Sequence, residues 1–137
     1  MTSDSAVMII VDSDRKDCKE FKKELVTLWN KCNPKPKLTL FRIAIEETEA
    51  WLLGDQNAVR KAYPKCKSKP LEDYMQDSIC GTWEVLADAV FPGGTRELKK
   101  LGYQKVGEEK SNWARRISPH VDVEQNQSKS FQVFRQG

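Results

Sequence analysis

VMIIVDSDRKDC, residues 7–18, passes from an unbroken apolar stretch into two aspartates one residue apart, and then into a basic, polar pattern. The apolar part, residues 6–12, is short, β-branched and continuous, which suits a strand buried on both faces of a parallel sheet. Beyond it the period changes. Cys18, Phe21, Leu25, Leu28, Trp29 and Cys32 recur at helical spacing over residues 15–32, with Lys and Glu filling the other side. Asp14 is placed to cap this helix, Asp17 falls in its first turn, and NPKP at residues 33–36 ends it. Residues 38–45 read as a second strand, after which EETEAWLLGD turns helical, with Gly54 as its stop. Asp55 then caps a short helix over residues 56–63 that Pro64 closes. Such a strand, helix, strand unit makes a right-handed crossover, so its two strands run parallel with both C-terminal ends on one edge.

Residues 64–81 read as loop. Helical signals return at residues 82–90, 95–101 and 111–117, each opened by a hydroxyl residue able to cap, and FQVF at residues 131–134 suits a short last helix. The 137 residues suit one domain. The expected class is α/β: a small parallel sheet with helices on both faces and a mostly helical C-terminal half.

With 39% hydrophobic and 31% charged residues the composition is that of a soluble globular chain. The longest apolar run is far shorter than the roughly 20 residues of a membrane span, and no basic stretch of a signal peptide precedes it. A cytoplasmic location is expected, without membrane contact. The four cysteines are widely spread, with no C-x-x-C pair and a single histidine far from any of them, so free thiols are expected rather than zinc or disulfides. Lys and Arg against Asp and Glu give −1 for residues 1–55 and +4 for residues 56–137. That asymmetry fits a metal site beside a phosphate-contacting surface, and equally an ordinary solvated exterior.

Parallel strands present ligands beyond their C-terminal ends, which sets Asp12 and Asp14 beside Glu46, Glu47 and Glu49. Carboxylates gathered at one edge repel one another and raise each other's pKa unless a cation sits among them. Mg2+ (or Mn2+) suits such a site, because it accepts a few carboxylate oxygens, keeps waters, and then takes phosphate oxygens of a substrate. The same residues have plainer uses: Asp14 as a helix cap, Asp12 as a hydrogen-bond acceptor for a loop, and the glutamates as favourable charge at a helix N-terminus.

IIVDSDRKDCKEFKKEL, RIAIEETEAWLLGD with AVRKAYP, then YQKV and HVDVEQNQSKSFQVF together resemble an uncharacterised bacterial family of small Toprim-like proteins often encoded beside an ABC-type ATPase. The resemblance covers residues 6–66 and 103–135, and residues 42–55 are its most specific part. It implies a Toprim-type site, in which a D-x-D pair binds magnesium and a glutamate on an earlier strand-to-helix turn is general acid or base in cutting or joining phosphodiesters. Asp12 and Asp14 match the D-x-D, and Glu46, Glu47 or Glu49 the second acidic motif. The earlier glutamate has no counterpart, since only Asp4 precedes Asp12 among the acids. The chain thus starts about where the second half of a Toprim fold would start. A further strand is expected from the C-terminal half, from a partner, or from residues ahead of Met1.

Other residues carry weaker signals. Lys105 in YQKV, Arg115 and Arg116 in NWARRI, and His120 in ISPHVD are candidate nucleic-acid contacts, with solvated surface as the plain alternative. Trp29, Trp51, Trp83 and Trp113 fall in helical patterns with apolar neighbours, which favours packing over base stacking. Ser128 and Ser130 suit a loop-to-helix cap better than a nucleophile. Three functional classes follow. The first is a magnesium-dependent, nuclease-type protein acting on nucleic-acid phosphodiesters, DNA rather than RNA, with Asp12, Asp14, Glu46, Glu47 and Glu49 as catalytic and metal residues and an ATPase partner in a defence-type system. The second is a catalytically incomplete interaction module that pairs, as a homodimer or with another chain, through an exposed sheet edge. The third is an aspartate-nucleophile phosphatase using Asp12 and Asp14.

Overall fold

The computed structural model describes residues 5–136. The chain is an α/β protein with a two-stranded parallel sheet and a helical C-terminal half. Strands β1 (Ala6–Asp12) and β2 (Leu38–Ala44) pair in register, with Ala6 opposite Leu38 and Asp12 opposite Ala44. Their crossover helix is α1 (Cys18–Asn30). Both strands therefore end side by side, and the segments leaving them meet at one edge. No further strand occurs among the described residues, so the C-terminal half does not extend the sheet. Asp4 lies outside the described residues.

Seven more helices follow: α2 (Glu49–Leu53), α3 (Gln56–Ala62), α4 (Ser68–Glu72), α5 (Thr82–Val90), α6 (Gly94–Lys100), α7 (Tyr103–Ile117) and α8 (Lys129–Arg135), with a 3-10 turn at Ser118–His120. The core sits among α2 to α7, where Leu53, Val59, Leu71, Leu86, Leu98, Trp113 and Ile117 are almost wholly buried. The sheet lies at the margin of that core. The expected burial of β1 on both faces does not occur: its residues alternate, and Met8 and Ile10 remain 44% and 45% exposed. Two strands are too few to be covered twice. The apolar stripe of α1 is likewise thin, with no buried residue and Leu28 61% exposed.

Local signals were decided by competition. Helix α1 begins at Cys18 because Asp17, not Asp14, caps it, accepting the N–H groups of Lys19 and Glu20 at 3.0 Å each. Asp14 instead adopts a left-handed φ of 50°. Asp55 caps α3 through Ala58 at 3.1 Å, and Ser128 caps α8 through Phe131 at 3.2 Å, as the sequence indicates. Residues 64–81 contain α4, which the loop reading missed. Helix α7 starts at Tyr103 rather than at Ser111, and α5 and α6 follow Gly81 and Gly93 in left-handed conformations instead of hydroxyl caps. Gly54 does end α2, but with φ −61°; it is needed for room, because a Cβ there would collide with the Asn126 side chain. Asn126 uses its amide to hold Trp51 O at 2.8 Å, and Gln127 N–H donates to Gly54 O at 2.8 Å. The four cysteines are free, and no helix among the described residues is long and apolar enough to cross a membrane.

This distribution of burial predicts unequal costs for equal truncations. Leu86→Ala should lose about 2–5 kcal/mol, whereas Leu28→Ala should change stability by less than about 0.5 kcal/mol, both read by urea denaturation.

Candidate functional site

The two strand ends are stitched together before any charge is considered. Ser13, 2% exposed, donates its N–H to Ala44 O at 3.0 Å and accepts the Glu46 N–H on Oγ at 2.8 Å. Asp14 N–H donates to Glu46 O at 2.8 Å. Asp14 and Glu46 both have positive φ, 50° and 59°, a conformation that non-glycine residues seldom adopt and that clusters at functional turns. The D-S-D turn and the E-E turn are thus folded against each other, which carries Asp12, Asp14 and the three glutamates to one edge.

The carboxylates then diverge in role. Glu46 accepts the backbone N–H groups of Cys80 (3.2 Å), Gly81 (2.7 Å) and Thr82 (3.0 Å), so both of its oxygens hold the N-terminus of α5. Glu47 accepts Thr82 Oγ1 at 3.0 Å, Trp83 N–H at 3.3 Å and Lys110 Nζ at 3.0 Å. Glu49 is 5% exposed, and Lys110 Nζ lies 3.3 Å from its Oε2. That contact is an ion pair by distance but lies off a hydrogen-bond line; among the described residues Oε2 has a charge partner and no aligned donor. Asp12 accepts the Thr48 N–H at 2.9 Å.

Burial pushes Asp12 above the ordinary aspartate range; the Thr48 hydrogen bond and Lys110 oppose this, while Glu47 and Asp14 add to it. Burial likewise raises Glu49, against the pull of Lys110. Burial lowers Lys110, but Glu49 and Glu47 outweigh it and hold the ammonium above its usual value. Glu47 and Lys110 therefore act on both Asp12 and Glu49, and Asp14 acts on Asp12; these groups come from the ends of both strands and the middle of α7. A polar groove of about 550 Å3, lined among others by Asp14, Arg15, Glu47 and Trp83, runs past this edge.

Lys110 was not legible as a site residue, although a trace of it exists. Val106, Lys110, Trp113 and Ile117 fall on one stripe of α7, and the lysine is the charged member of that buried face. The candidate nucleic-acid contacts sit elsewhere. Lys105 pairs within its own helix with Glu109 at 2.8 Å and Glu108 at 3.3 Å. Arg116 lies over the Tyr63 ring at 4.3 Å and donates to Ala62 O at 3.3 Å. Arg115 and His120 are exposed. Trp113 is core, and Trp51 stacks on Phe134 at 4.9 Å.

The donor set is hard oxygen, and a positive charge already lies among the carboxylates as a lysine ammonium, with one buried carboxylate oxygen lacking an aligned donor. Hard oxygens suit a divalent cation, but the Lys110 ammonium already neutralises Glu47 and Glu49 and would repel a second cation beside them. Among the described residues no group of three or more His, Cys, Asp or Glu is placed so that it could hold a metal ion. Comparison with family models, with curated proteins and with solved structures gives no match for this chain.

Two substitutions separate anchoring from charge balance. Glu46→Ala, which strands three N–H groups of α5, should cost about 3 kcal/mol. Lys110→Met, which leaves Glu47 and Glu49 without their cation in a half-buried site, should cost about 2 kcal/mol. Millimolar Mg2+ should restore part of the second loss and none of the first, as read by thermal unfolding.

Proposed function

We propose that this chain is a cytoplasmic, Toprim-like protein of the family it resembles, acting on nucleic-acid phosphodiesters with Mg2+ or Mn2+ and working beside an ABC-type ATPase. The observation that supports this reading is the meeting of the two acidic turns at one edge, joined by Ser13 and Glu46, with Glu47 and Glu49 paired to Lys110 beside Asp12. Asp12, Asp14 and Glu47 would hold the metal, with Glu49 behind them. The chemistry that a bound magnesium supplies in such a setting is activation of water and neutralisation of the leaving oxygen. The protein's own contribution is placement. Ser13 and Glu46 fix the two turns, Glu46 sets α5 along the groove, and Lys110 with Arg15 tempers the negative edge toward a phosphate-bearing strand.

A second reading, the interaction module, has an observation of its own. Both outer edges of the two-stranded sheet are unpaired among the described residues, and Met8, Ile10 and Leu38 are exposed along it. A bare strand edge is a template for another chain. It predicts stable association without turnover. The phosphatase reading gains nothing comparable.

Calorimetry with Mn2+ and incubation with plasmid DNA discriminate these readings. Wild type should bind the ion and nick the plasmid, with activity abolished by chelator; Asp12→Asn should lose at least tenfold in ion affinity and all nicking. An absence of both heat and nicking in the wild type leaves the module.

The pH dependence has a definite sign. A carboxyl whose pKa is raised on folding contributes stability below its unfolded value, and that contribution is lost as pH rises through the folded value. Ionised Asp12 is thus a cost at neutral pH, and Asp12→Asn should unfold at a temperature equal to or above that of wild type. Because the ion requires ionised Asp12, whose pKa is raised, its affinity should begin to fall on acidification at a pH above the ordinary carboxylate range of about 4.

A further inference from the structure

A groove of about 440 Å3 runs between the first turns of α1, strand β2 and α8, and it shares no lining residue with the acidic edge. Phe41, Ile43 and Val133 give it an apolar floor, on which Val133 is 57% exposed. Four cations rim it: Lys19 and Lys22 on α1, Arg42 on β2 and Lys129 on α8. The three lysines are exposed. Lys69, Lys99, Lys100 and Lys105 elsewhere each have a carboxylate partner, whereas none of these four lies within ion-pair distance of one among the described residues. The one acid on the lining is committed inward. Asp77 Oδ1 accepts Ser128 Oγ at 2.8 Å and Gln76 Nε2 at 3.0 Å, and its Oδ2 accepts the Ser130 N–H at 3.2 Å.

Unpaired like charges around an apolar floor repel one another and leave that floor in water, and an anionic partner with apolar groups relieves both costs. Cations on three separate elements call for several anionic groups, more than the single carboxylate of a fatty acid. A phosphodiester backbone would meet the lysines and leave Ile43 and Val133 facing water. We propose that the groove docks a short acidic segment of a partner protein, its apolar side chains on Phe41, Ile43 and Val133 and its carboxylates on Lys19, Lys22, Arg42 and Lys129. Charge complementarity selects this occupant, and nothing in it depends on the acidic edge or on the phosphodiester reading. The lysines act chiefly on the rate and salt dependence of association, and the apolar floor on its lifetime.

The test uses the full chain and a fluorescein-labelled, acetylated peptide in which single leucines alternate with pairs of glutamates, followed by fluorescence anisotropy. The peptide should bind, more weakly as salt rises. Serine in place of leucine should weaken it about tenfold or more, and lysine in place of glutamate should abolish binding. The double variant Lys19→Glu, Lys129→Glu should lose affinity about tenfold or more. Lys61→Glu, on an exposed position of α3 outside the groove, should bind as wild type, with the fold of both variants unchanged by circular dichroism. Asp12→Asn should bind the peptide undiminished, so that loss of nicking and loss of docking are read apart. No binding at millimolar peptide, equal binding of the serine or lysine peptide, an equal loss in Lys61→Glu, or tighter binding of decanoate or of an oligothymidylate would each overturn the docking groove.

Discussion

A carboxylate as deeply buried as Glu49, 5% exposed, needs a compensating partner, and here a cation arrives from a helix far along the chain. Lys110, in the middle of α7, is shared by Glu47 and Glu49 at the start of α2. Desolvation alone would favour the neutral forms of Glu49 and Lys110, and their pairing opposes it. The consequence is architectural as well as chemical. The pair ties the helical half to the C-terminal edge of the sheet, where little apolar surface does so.

Glu46 provides the second tie, with the opposite logic. Its carboxylate meets no lysine but three backbone N–H groups at the N-terminus of α5, a position where negative charge is favoured by the helix dipole as well as by hydrogen bonding. Neighbouring glutamates thus anchor two different helices. The left-handed backbone at Glu46 is what sends successive carboxylates in different directions. The sheet, by itself too small to be stable, becomes the meeting point of these polar anchors, and the apolar core is left to the helices.

What the sequence made legible was local. The β-branched run of β1, its parallel partner, the Asp55 and Ser128 caps and the end of α2 all follow from neighbours within a few residues. The convergence of the two acidic turns was also legible, because a strand, helix, strand unit fixes where its strand ends lie. What remained hidden depends on distant partners. Lys110 interacts with Glu47 across 63 residues of sequence and interrupts the periodicity of α7, which is why that helix was read too short. Glu46 was indistinguishable from Glu47 and Glu49 until α5 was folded against it. The sequence points to Asp14 as the cap of α1 with Asp17 in its first turn, but Asp17 is the cap, because Ser13 and Glu46 fix the turn at Asp14. The stripe of α1 promised a burial that a two-stranded sheet cannot supply.

Titration with Mn2+, followed by paramagnetic broadening of backbone amides, addresses the shared cation site most directly. Selective loss of the signals of residues 12–14 and 47–49, in wild type but not in Asp12→Asn, is the predicted result. Broadening spread evenly over the surface acids, or identical in the variant, would contradict it.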